Sequence, residues 1–266
     1  MNALFYLATN PAIPIVAALL VFLSLRWFTV AEDRQRTEWL FIFCVPILPF
    51  FLWMVRCALS GLTRLSMPTY DLYAYRFDAL LGSPAFRVAQ AADSHLWSRL
   101  VMLFIYELFS PALIGTLAAY IWLRPKDELR PLIEAFALNL ILVVGLYLLI
   151  PVCGPRYAFP SFPQIPYGIV PFHTMTIPFS PPNGMPSAHV SSALLVCWFL
   201  RYWRWGKIAG VLFAFLTVLS VLATGEHYLL DAICAVPYTT GILWLSGNLS
   251  LEFNEQYALP MMRKAG

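Results

Sequence analysis

Two short runs hold the side chains best suited to chemistry. Pro186-Ser-Ala-His189 and Gly225-Glu-His-Tyr-Leu-Leu-Asp231 contain two of the four histidines of this 266-residue chain. His227 and Asp231 are four residues apart, a spacing that on a helix puts both on one face with Cβ atoms about 5–6 Å apart. A carboxylate so placed accepts from one ring nitrogen, fixes the tautomer and leaves the other nitrogen to attack. Pro186 ahead of an apolar run is a helix-start signal. The first-turn amides around Ser187 and Ala188 are therefore candidates for an anion site, with the Ser187 hydroxyl as a further donor. His189 follows where it can reach a bound phosphate or its leaving oxygen. Phosphoryl transfer needs an in-line nucleophile, a proton donor for the leaving oxygen and positive charge around the equatorial oxygens. His227, His189 and Arg156 supply these in turn, the guanidinium fork suiting two oxygens at once. Glu226 and Tyr228, flanking His227, are candidates for substrate contact.

A lone His-x-x-x-Asp is common on any helix and says little by itself. The signal lies in what separates the two runs. Between His189 and His227 the chain reads as an apolar span, a basic turn and a second apolar span. If both spans cross a bilayer, the two histidines return to the same face.

Composition supports crossing. Hydrophobic residues make up 60% of the chain and charged residues 12%, and the mean hydropathy is +0.71, whereas a soluble domain is about one quarter charged. Apolar runs near the roughly 20 residues needed to cross hydrocarbon recur along the length. The expected fold is all-α: a polytopic membrane bundle of six to seven transmembrane helices in one domain, 1–266. It divides into N-terminal spans and an interfacial segment (1–99), a catalytic helix bundle (100–248) and a cytoplasmic tail (249–266). The net charge of +3 is spread over loops, which speaks for membrane orientation and against nucleic acid as a partner. The first 30 residues lack a basic leader and a small-residue cleavage site, so they read as a retained helix. The five cysteines are dispersed and mostly within apolar runs, and read as packing residues; Cys153, beside the longest loop, is the exception to watch.

Spans are expected over about Pro11 to Val30, Trp39 to Leu59, Leu100 to Leu123 and Pro131 to Val152, then from Ser187, from Ile208 and from near Leu229. The stretch Pro68 to Leu81 is amphipathic, with Leu72, Tyr75 and Ala79 on one helical face and Asp71 and Asp78 on another, as fits a helix lying in the interface. Arg34, Arg36, Arg124, Lys126, Arg130, Arg201, Arg204, Lys207, Arg263 and Lys264 fall on one side of a seven-span arrangement, which the positive-inside bias makes cytoplasmic. Both histidine runs then face the non-cytoplasmic side. Arg64, Arg76 and Arg87 would join them there, partly balanced by Asp71, Asp78 and Asp93. Tyr70, Tyr73 and Tyr75 read as part of an aromatic belt. The loop from Cys153 to Pro186 is long, Pro-rich, aromatic and almost uncharged, which implies that it packs over something. Glu107 inside the third span and His173 in the loop are secondary site candidates, and His95 reads as an interfacial residue.

Pro-Ser-Ala-His and Gly-Glu-His-Tyr-Leu-Leu-Asp resemble the second and third signature motifs of the type 2 phosphatidic acid phosphatase superfamily, which contains membrane lipid phosphatases and related phosphotransferases. The resemblance covers about Cys153 to Leu245. It implies a metal-independent, cofactor-free, two-step reaction through a phosphohistidine, with His227 as nucleophile, Asp231 orienting it, His189 as general acid and Arg156 as the first-motif arginine. The chain departs from the pattern in two places. Positions upstream of Gly154-Pro155-Arg156-Tyr157 are aliphatic where a lysine is usual, and Ser220-Val221 stand where Ser-Arg is usual. The Gly-Glu-His-Tyr form is similar to a branch that includes inositol phosphorylceramide synthase and sphingolipid synthases, which move a phospho-headgroup between lipids. The expected substrate is thus a phospholipid or a polyprenyl phosphate or diphosphate, and the acceptor is water or an alcohol.

Two other classes compete. A metal-dependent intramembrane hydrolase would use His189, His227 and Asp231 as ligands, but no His-Glu-x-x-His is present. A transporter or scaffold would favour internally repeated, Gly-interrupted spans, and no such repeat is visible.

Overall fold

The computed structural model describes residues 61, 63, 67–109, 112–113, 115–116, 129–166 and 172–247. The expected first two spans, the basic run 124–128 and the tail 249–266 lie outside them. The described residues are all-α apart from one two-stranded ladder. In chain order they form β1 (Pro68–Thr69), α1 (Asp71–Leu80), α2 (Pro84–Asp93), α3 (Leu96–Glu107), α4 (Leu129–Leu149), α5 (Pro155–Ala158), β2 (Met175–Thr176), α6 (Ala188–Leu200), α7 (Arg204–Ala223) and α8 (Leu229–Leu245). β1 and β2 pair antiparallel, Pro68 opposite Thr176 and Thr69 opposite Met175.

α6 is the axis of the bundle, packing against α4, α7 and α8, while α7 also carries α2 and α3 on its flank. The start of α6 is fixed by Ser187, whose Oγ accepts from the Val190 amide at 3.3 Å, satisfying one of the donors that a helix start leaves without a partner. Leu195, Val196, Phe199 and Leu200 of α6 meet Leu132 and Ala135 of α4 and Ile242 and Leu243 of α8 in a continuous apolar core. Asn139 ties the same layer together: its amide donates to Ser192 at 3.1 Å and its carbonyl accepts from Ser191 at 2.9 Å.

Among the described residues, α7 is the helix long and apolar enough to cross a membrane, and 134–149 of α4, α6 and α8 are apolar but shorter. α7 turns Ile208, Val211, Leu212 and Phe215 outward, and α8 does the same with Ile233, Val236 and Trp244.

The stretch expected to lie in an interface does form a helix, α1, but its acidic face points inward. Asp71 and Asp78 are both fully buried and bonded to backbone amides, so neither balances Arg76 or Arg87 as charge counting suggests. Tyr75 leaves the expected aromatic belt for the same reason: it is 5% exposed and packs on Phe86 and Phe159, with ring centroids 5.4 and 4.8 Å away. The Pro-rich loop packs as its composition implies. Phe159, Phe162 and Ile165 sit on a core of Tyr75, Phe86, Val152, Leu222 and Tyr228, and Phe172 seats on Tyr73 and under the Arg76 guanidinium.

Candidate active site

α6 and α7 form an antiparallel pair, and the chain turns back after Ala223 into α8, so the segment carrying His227 arrives beside the first turn of α6. The two imidazole rings lie 5.8 Å apart, centroid to centroid, at 67°. Backbone contacts hold the two runs together, the Ser187 amide donating to the Asp231 carbonyl at 3.2 Å.

His227 and Asp231 do not share a helix as their spacing suggests. The turn after α7 ends in an extended segment, and Tyr228 is the N-cap of α8 with φ −78° and ψ 161°. Asp231 alone is on the helix, where its Oδ2 accepts from the Tyr228 amide at 2.8 Å. That cap still carries His227 to the carboxylate: Nδ1 is 3.4 Å from Asp231 Oδ2. Both side chains are buried, yet His227 Nδ1 and Asp231 Oδ1 have no well-aligned hydrogen-bond partner. Buried polar atoms in that condition are rare and costly, and they cluster where function holds them.

His189 is enclosed by aromatic rings as well as by His227. Tyr106 is 5.2 Å from it and Phe109 4.8 Å, both from the region of α3. Glu107, expected as a candidate, is exposed on another face. His173 is exposed in the loop, and His95 is exposed at the start of α3.

Arg156 is brought to the same end of the bundle through its backbone, its amide donating to the Gly225 carbonyl at 3.0 Å. Two glycines make this approach possible. Gly154 has φ +110° and a Cβ there would lie 2.2 Å from the Glu226 carbonyl oxygen; Gly225 has φ +70° and a Cβ there would strike the Phe162 ring. The guanidinium donates to Glu226 Oε1 at 2.6 Å, and the Tyr157 hydroxyl donates to the same carboxylate at 3.2 Å. Burial, and secondly the Glu226 charge, push the Tyr157 phenol up to about 12, so it stays a donor.

Ser187, Ala188 and Tyr228 also hold the scaffold together. The Ser187 amide, the Ser187 hydroxyl and the Val190 amide are all engaged within the bundle, and the Ala188 backbone is hydrogen-bonded to the buried Tyr147 phenol. Tyr228 is fully buried and its hydroxyl donates to Asp71 at 3.2 Å, away from the imidazoles. Cys153 is buried, and burial pushes its thiol up, as for a packing residue. Tyr106, Phe109, Tyr157, Asp71 and Asp78 are the neighbours that motif reading missed.

Among the described residues no group of three or more His, Cys, Asp or Glu side chains is arranged to hold a metal ion. No curated protein and no solved structure matches the chain. A family model does, the PAP2 superfamily, over residues 73–245, more than half of the sequence. The match opens inside α1, runs through Arg156 and both histidines, and stops at the last residue of α8. The chain belongs to the PAP2 superfamily, a superfamily of phosphatases.

Proposed function

We propose that this protein is an integral membrane enzyme that transfers a phosphoryl group or phospho-headgroup from a lipid phosphate through a phosphohistidine at His227. The observation that carries the reading is the pairing of two imidazoles 5.8 Å apart, one of them backed by a buried carboxylate at 3.4 Å. In the first step His227 Nε2 attacks phosphorus, the N–P bond forms and the P–O bond to the leaving alcohol breaks. Protonated His189 gives its proton to that oxygen. In the second step neutral His189 takes a proton from water or an acceptor alcohol, whose oxygen attacks phosphorus and displaces His227. Asp231 stabilises the proton on Nδ1 through both steps. A near-attack distance of about 3–3.5 Å on one side and a hydrogen bond of about 2.6–3.2 Å on the other suit rings at this separation.

A lipid substrate is supported by the apolar outward faces of α7 and α8, and the distribution of Lys and Arg favours the non-cytoplasmic surface for the reacting end of the bundle. Superfamily membership supports a phosphatase or phosphotransferase. The Gly154–Glu226 contact and the folded aromatic loop favour a site sheltered from bulk water, which suits transfer to an alcohol.

The test is to incubate the purified full-length chain in bilayers with phospholipids and polyprenyl phosphates, with and without candidate alcohols, reading free phosphate against transferred headgroup. Turnover that persists in excess chelator and vanishes in His227→Ala is expected. Turnover retained by His227→Ala, or lost to chelator, overturns the reading.

A further inference from the structure

Asp71 and Asp78 are seven residues apart, two turns of α1, and so project from the same face of that helix. Both are fully buried, and together they grip the two segments that carry the site. Asp71 accepts from the Cys153 amide at 3.0 Å and the Gly154 amide at 2.9 Å, two to three residues before Arg156, and from the Tyr228 hydroxyl at 3.2 Å. Asp78 accepts from the amides of Leu229 at 3.1 Å and Leu230 at 3.3 Å. Those two residues lie between His227 and Asp231 and open α8.

A helix start can be capped by Ser, Thr or Asn without burying a charge. Here Asp231 reaches back to the Tyr228 amide, and the first two amides of α8 are taken by Asp78 from a different helix, so the carboxylate of α1 does more than an ordinary cap. It fixes where α8 begins relative to α1, and through Tyr228 and Gly154 the same helix fixes the Arg156 segment. Charge-assisted bonds to backbone are short-range and directional. They set position along and around the α8 axis, on which the distance from Asp231 to His227 depends.

We propose that Asp78, seconded by Asp71, is a positioning residue for the reaction: α1 is a two-point clamp that holds the His227–Asp231 segment and the Arg156 segment in register. The inference rests on the reading of His227 as the reacting group. α1 ends with Leu80 exposed, and Leu81 just past it is exposed as well.

The experiment compares the full-length wild type with Asp78→Asn, which keeps one acceptor oxygen, and with Tyr228→Phe, which removes only the hydroxyl that Asp71 binds. For each, kcat and KM are measured per folded molecule, alongside thermal midpoint and backbone hydrogen exchange over 153–156 and 225–231. The clamp predicts a fall in kcat of about 10–100-fold for Asp78→Asn with KM within about twofold, because misplacing a reacting group by about 1 Å costs on that order. It also predicts faster exchange in both segments and a smaller fall in kcat for Tyr228→Phe. An unchanged kcat per folded molecule, with only the thermal midpoint lowered, overturns it and leaves the aspartates as fold supports. If Asp78→Asn does not fold, Tyr228→Phe decides by the same split. If the wild type turns over no lipid phosphate, the proposed function fails, and hydrogen exchange still judges the clamp: unchanged exchange at 225–231 overturns it.

Discussion

The Arg156 guanidinium donates to Glu226 Oε1 at 2.6 Å, so the cation suited to clasp a phosphate already holds an anion. The arginine side chain is 46% exposed and the glutamate 13%, so water reaches the pair from the arginine side and weakens it. A phosphate offering two oxygens to the guanidinium fork can therefore replace the carboxylate. Removing the competitor should tighten anion binding. Glu226→Gln is expected to lower KM for an anionic lipid about two- to fivefold, and Arg156→Ala to raise it by more. Inhibition constants for inorganic vanadate across the two variants check this. Equal constants in Glu226→Gln and wild type would show that the pair is not a competitor for the anion.

How much of this site was legible in the sequence depends on how far each contact reaches. Ser187 as a helix start, Leu229 as the start of the last helix and the meeting of His189 with His227 follow from local residue types and from the length of two apolar runs. α7 begins at Arg204 rather than Ile208, adding a first turn on which Arg204 and Lys207 are exposed. The inward aspartates were not legible: Asp71 reaches partners 82 and 157 residues away, and Asp78 one 151 residues away. Nothing in an amphipathic pattern says whether its polar face meets water or another segment's amides. The N-cap at Tyr228 was hidden for a similar reason, since four-residue spacing suits a helix and equally a cap that folds back.

Burial also leaves a mark on stability against pH. Desolvation raises the Asp78 carboxyl from the usual Asp range to about 6, against the lowering effect of the Leu229 and Leu230 amides, with Asp231 the charged neighbour that adds to the rise. A carboxyl with a folded pKa above its unfolded value binds protons more tightly when folded, so stability from this group falls as pH rises from about 4 to about 6 and is flat above. The effect is on the order of 3 kcal/mol, at about 1.4 kcal/mol for each pH unit between the unfolded and folded values. Asp78→Asn carries no such charge. The thermal midpoint of the wild type relative to Asp78→Asn should therefore drop by several degrees between pH 4 and pH 6 and hold steady to pH 8. A constant difference across that range would remove Asp78 as the titrating group.

Phe109 stacks on Phe213 with centroids 5.5 Å apart and touches His189 with its other side. Phe213 lines an apolar groove of about 470 Å³ shared with Ala112, Gly115, Val196 and Leu200, a size that falls within the range of small-molecule sites, about 300–1,000 Å³. Among the described lining residues the one hydroxyl, on Thr116, is already spent on the Ala112 carbonyl at 2.7 Å. A hydrocarbon tail there would place its phosphate toward the histidines. Among the described residues a Cβ at Gly115 meets nothing within 4 Å, so Gly115→Leu adds bulk to the groove. Displacing two or three methylenes at about 0.8 kcal/mol each should cut the rate on long-chain lipid phosphates about 10-fold or more, while rates on short, soluble phosphates stay within about twofold. Equal effects on both substrates would place the tail elsewhere.

The role of His189 is separable from that of His227 by the leaving group. If His189 only stabilises charge or packs against Tyr106 and Phe109, its loss should slow every substrate alike. If it delivers a proton, its loss matters in proportion to how badly the departing oxygen needs one. An alkoxide from a glycerol or polyprenyl alcohol is a poor leaving group, whereas an aryl oxide leaves nearly unaided. His189→Ala is therefore expected to lower kcat/KM by about 10²–10⁴-fold for alkyl lipid phosphates and far less for aryl phosphates, with the phosphohistidine still forming from the aryl substrate. In a series of aryl esters, rate should depend more steeply on leaving-group acidity in the variant than in the wild type, since the wild type shares the burden through the imidazole. Parallel dependences would assign the ring at 5.8 Å from His227 to electrostatics and packing, and the proton would then have to come from solvent at the mouth held by Arg156 and Glu226.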